Sequence, residues 1–61
     1  ASNPDEVARQ VRAAYAQRQR NRQALDLQRE LILSQRTSNP HRRAALEAAL
    51  ADIEAKLNAI E

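Results

Sequence analysis

The sequence predicts an all-α protein folded as an antiparallel two-helix hairpin, and three observations predict it. Gly is absent from the 61 residues and Pro occurs only twice, so few positions favour a break. Both Pro sit in the same triplet, Ser2-Asn3-Pro4 and Ser38-Asn39-Pro40. An Asn side chain accepts hydrogen bonds from the free amides of a first helical turn, and Pro suits the next position because its missing N–H costs nothing there. Between and after these triplets, apolar residues recur at steps of three and four, the spacing of one helix face.

The first helix is expected over about residues 4–37. Asn3 caps it, Glu6 stands three residues after the cap, and Asp5 adds a favourable charge at the positive end of the helix dipole. Val7, Val11, Ala14 and Tyr15 make an apolar stripe in its first third. The run Gln17-Arg18-Gln19-Arg20-Asn21-Arg22-Gln23 then carries no apolar side chain. Beyond it, Ala24, Leu25, Leu27, Leu31 and Ile32 spread over roughly 160° of the helical wheel. That arc is wider than the seam of a two-stranded coiled coil and suits a helix with two neighbours, as in a four-helix bundle. No Gly or Pro marks a turn inside Gln17–Gln23, which favours one continuous helix over a chain folded back as three.

A turn is expected at about 37–39 and a second helix at about 40–60. Leu46, Leu50, Ile53, Leu57 and Ile60 follow one another at steps of four, three, four and three, an unbroken coiled-coil seam. Ala44, Ala48, Ala51, Ala55 and Ala59 fall on the opposite face. That stripe is either a solvent-tolerant surface of good helix formers or room for a second helix to approach closely. His41, Arg42 and Arg43 crowd the first turn, where the dipole disfavours positive charge. The carbonyl end of the first helix, lying across the same corner, is the expected counterweight, together with an Arg43–Glu47 pair.

Folding the chain at 37–39 sets Ile32 opposite Leu46, Gln28 opposite Leu50 and Leu25 opposite Ile53. It leaves Leu57 opposite Asn21 and Ile60 opposite Arg18, while Val7, Val11 and Tyr15 overhang by roughly 20 Å. Each large apolar side chain left in water forgoes about 1.5–3 kcal/mol. A chain of this size rarely draws more than about 3–5 kcal/mol from its core, and without Cys it has no disulfide to add. Association is therefore expected, with a second hairpin placing its Val7–Tyr15 segment on the Leu57–Ile60 end. The expected interface comprises Val7, Val11, Tyr15, Leu25, Leu31, Ile32, Leu46, Leu50, Ile53, Leu57 and Ile60.

Composition narrows the function classes. One His, no Cys and no Gly leave no thiol nucleophile, no metal-ligand cluster and no glycine-rich phosphate loop, so neither an enzyme nor a cofactor is expected. No apolar run exceeds four residues, as at Ala48-Ala49-Leu50-Ala51, far short of the ~20 residues of a membrane span. With no secretory segment evident, a cytoplasmic setting is expected. The chain opens Ala1-Ser2 without Met, as a single domain or a piece of a longer protein would, and its nine Arg and thirteen Ala suit a GC-rich bacterial or phage source.

The net charge of +2 divides into +3 over residues 1–39 and −1 over residues 40–61, which suits antiparallel pairing of unlike helices. The leading expectation is a non-catalytic module for self-association or docking to a helical partner, similar to small adaptor, chaperone or assembly subunits. The alternative is a bundle similar to Rop that binds RNA through an arginine face. Its candidate contacts are Arg18, Arg20, Arg22, Arg29, Arg36, Arg42 and Arg43. The stacking aromatics that favour single strands are missing apart from Tyr15.

Overall fold

A computed structural model of the chain describes residues 3–60, and those residues form two α-helices in antiparallel contact. Ser2, which opens the first triplet, and Glu61, which completes the acidic count of the second helix, lie outside the described residues. Helix α1 spans Pro4–Ser34 and helix α2 spans Pro40–Ile60. Both begin as the triplets require. Asn3 is extended, and its side-chain oxygen accepts from the Asp5 amide at 3.0 Å; the Val7 amide then donates to the Asn3 carbonyl at 3.0 Å. The cap is thus satisfied through Asp5 rather than Glu6. Asn39 does the same twice over, its Oδ1 accepting from the amides of His41 at 2.9 Å and Arg42 at 3.2 Å.

Helix α1 runs unbroken through Gln17–Gln23. With no apolar side chains to pack, this stretch is tied along its own surface. Gln17 Nε2 donates to Asn21 Oδ1 at 2.9 Å and Arg20 donates to Gln17 Oε1 at 2.7 Å, the neighbourly spacings of a helix. A three-helix folded-back chain is not what forms.

The corner differs from the expected one. Helix α1 stops at Ser34, three residues early, and residues 35–39 form a linker. Ser34 Oγ donates to the Leu31 carbonyl at 2.7 Å, competing for a helix-terminal acceptor. Gln35 leaves the helix in an extended conformation while its amide donates to Ile32 at 3.1 Å, the tighter bonding that closes a last turn. At the other end, Asn39 precedes Pro and is steered away from helical angles. Its amide donates to Thr37 Oγ1 at 3.1 Å.

The longer linker resets the register between the helices. Arg29 Nε meets Glu54 Oε1 at 3.4 Å, and Ile60 lines the same cleft as Asn21, Ala24 and Leu25. Relative to the count from a tight turn at 37–39, α2 is displaced along α1 by between one and two helical turns. Leu57 and Ile60 are therefore half-buried, Ile60 beside Ala24 and Leu25, rather than left exposed against polar side chains as the count from a tight turn places them. Ile53 is the one buried residue among those described, at 6% exposure.

The molecule is a rod of 59 × 16 × 12 Å. Its radius of gyration of 17.2 Å compares with roughly 10 Å for a compact chain of this length. Removing the second cap with Asn39→Ala should cost about 1 kcal/mol and lower the midpoint of a circular-dichroism melt by about 4–8 °C. Ile53→Ala should cost about 2–5 kcal/mol and abolish the cooperative transition at room temperature.

Candidate interaction surfaces

The expected interface residues divide into two groups. Leu25, Ile32, Leu46, Leu50, Leu57 and Ile60 are half-buried, and with buried Ile53 they belong to the seam between α1 and α2. Ala49 joins this seam, since it is half-buried and lines a cleft with Ile32 and Ile53. A step-of-three relation to Leu46 carried that signal in the sequence. Val7, Val11, Tyr15 and Leu27 lie away from the seam, whereas Leu31 and Leu33 border it in clefts shared with α2, and all six are between 43% and 67% exposed.

These exposed side chains occupy distinct faces. Val7, Val11 and Ala14 stand on the helical line that continues through Arg18 and Asn21 to Leu25 and Ile32, at alternating steps of four and three with Gln28 as the intermediate member. The apolar line that α2 covers at Leu25 and Ile32 thus runs on, uncovered, toward the start of α1. Tyr15 and Leu33 flank it on one side. Leu31 borders the seam in a cleft with Ala49 and Ile53, whereas Leu27, at 100° per residue, lies about 160° from Leu25, on the back of α1. The wheel arithmetic held that signal, although the broad apolar arc had merged the two faces into one.

Helix α2 has its own bare face. Ala44, Ala48, Ala51, Ala55 and Ala59 are all exposed and lie opposite the seam. An ion pair between Lys56 and Asp52 at 2.9 Å stands beside this stripe.

The arginines are distributed rather than gathered. Arg18, Arg22 and Arg29 share the seam side of α1, whereas Arg20 projects from the opposite side, about 160° from Arg18. Arg29 is half-buried and paired with Glu54. At the corner, Arg42 donates to Gln35 Oε1 and Arg43 to the Thr37 carbonyl, both at 3.3 Å. The cations at the start of α2 are thus balanced by linker oxygens, not by the last carbonyls of α1. Arg36 belongs to that linker and lines a cleft with Arg43 and Glu47.

No three His, Cys, Asp or Glu side chains among the described residues are grouped to hold a metal ion. Among the described residues, no helix is long and apolar enough to cross a membrane. Comparison with known proteins returns no match: no family, no curated protein and no solved structure aligns with the chain. The Arg29–Glu54 pair is 43% and 49% exposed at its side chains, so solvent screens it. A double-mutant cycle with Arg29→Ala and Glu54→Ala should give a coupling below about 1 kcal/mol, and a larger value would show the pair to be the chief lock on the register.

Proposed function

We propose that the chain is a non-catalytic assembly module, a helical hairpin whose working surface is apolar helix face presented to another helical surface. The carrying observation is the mismatch between what the chain buries and what it exposes. One aliphatic side chain is shielded among the described residues, while six large hydrophobic ones stand 43–67% exposed. A monomer of this size has little stability from which to forgo their burial, at about 1.5–3 kcal/mol for each large side chain.

The partner is another copy or a helical protein. In either case Val7 and Val11, flanked by Tyr15, read as an interface because they continue the helical line of the seam instead of being scattered singly. An arginine-face contact to nucleic acid draws less support, since the guanidinium groups do not converge on one surface and Arg29, Arg42 and Arg43 bond within the chain.

The reading predicts that the isolated chain gains helicity and thermal stability as its concentration rises through the micromolar range, or on adding a helical partner. Sedimentation equilibrium alongside circular dichroism checks this. A monomer at every concentration, fully helical and melting cooperatively at a constant temperature, would overturn it.

A further inference from the structure

We propose that the occupant of the uncovered seam is the same segment of a second copy, lying antiparallel about a twofold axis near Arg12–Ala13. This rests on the assembly reading and gives it a partner and a geometry. The first argument is continuity. The line on which α2 packs at Leu25 and Ile32 extends without a change of phase to Val11 and Val7. Whatever covers those two residues meets a surface already shaped for an antiparallel helix.

Steric exclusion decides the direction. Helix α2 ends at Ile60, level with Asn21–Leu25, and leaves roughly 25 Å of α1 bare. A second α1 laid parallel on that bare seam would run into α2 beyond residue 21. Laid antiparallel, it leaves in the other direction, past the start of the first copy.

Register follows from the same periodicity. Keeping both lines in phase sets Val11 of one copy opposite Ala14 of the other, and Val7 opposite Arg18, so large side chains meet small or flexible ones. The stem of Arg18 covers Val7 while its head stays in water. This register also ends the overlap of the two α1 helices with Pro4 level with Asn21, where the Ile60 end of α2 begins. The overhang is therefore as long as its own copy needs.

Charge agrees with this direction. Glu6, at the edge of the line, comes within one residue of the level of Arg18 of the other copy, whereas Asp5 and Arg20 face away from the contact. A parallel pair would set acid beside acid at like helix ends. Twofold closure makes the contact self-limiting, giving a dimer and not a filament.

Cysteine cross-linking tests this, and the chain's lack of native Cys keeps the experiment clean. Separately tagged Val11→Cys and Ala14→Cys chains are mixed, equilibrated under reducing conditions and then oxidised. The expected product is mainly the mixed disulfide between the two variants, with little of either homodimer. Sedimentation equilibrium of the unmodified chain should show the 6.9 kDa mass doubling, and Val11→Glu should return it to the monomer while leaving Ile53 packed. A predominance of Val11→Cys homodimer, an oligomer whose mass survives Val11→Glu without the mixed disulfide, or a monomer at all concentrations overturns the proposal. The surviving oligomer leaves the assembly reading intact; the monomer overturns that reading as well only if it is fully helical and its melting temperature is independent of concentration.

Discussion

The constraint on which this structure turns is unequal helix length. Helix α1 has 31 residues and α2 has 21, and the apolar line of α1 resumes beyond its polar stretch Gln17–Gln23, at Ala14, Val11 and Val7. An antiparallel hairpin brings equal lengths together, so the longer helix must keep a bare stretch of seam. The extended linker enlarges that stretch, because it displaces α2 along α1 away from the overhang. Shape and exposure follow from this one imbalance, and the proposed association is what would cover it.

Stability is correspondingly local. The seam around Ile53 is the only place where the described residues bury a large side chain, at 6% exposure, and half-buried leucines and isoleucines flank it. Polar interactions add orientation more than energy. Exposed pairs such as Lys56–Asp52 and the screened Arg29–Glu54 contact contribute little individually. The two Asn caps act differently, since each satisfies amides that no carbonyl of its own helix can reach. They fix where the helices begin, and so how much seam each presents.

Much of this was legible in the residues. Asn3-Pro4 and Asn39-Pro40 announced both helix starts, because capping and the Pro preference are local effects that need no tertiary partner. The seam from Leu46 to Ile60 was equally readable from its period. The end of α1 was not: Ser34-Gln35-Arg36-Thr37 contains no Gly or Pro, and a Ser hydroxyl turning to a carbonyl three residues back leaves only a weak trace in sequence. Because the helix ended early, the pairing counted outward from the corner was misplaced by more than a turn. Leu57 and Ile60 consequently moved from the expected uncovered surface into the intramolecular seam.

By itself the sequence determined the two helices, their starts, their apolar lines and their excess of hydrophobic surface over what one small chain can hide. Those properties depend on neighbours within a turn or on composition summed along the chain. Tertiary structure decided which apolar residues meet each other and which stay in water. That choice depends on how five linker residues span the corner, and a shift of between one and two helical turns there exchanges Leu57 and Ile60 for a longer bare stretch ahead of Leu25.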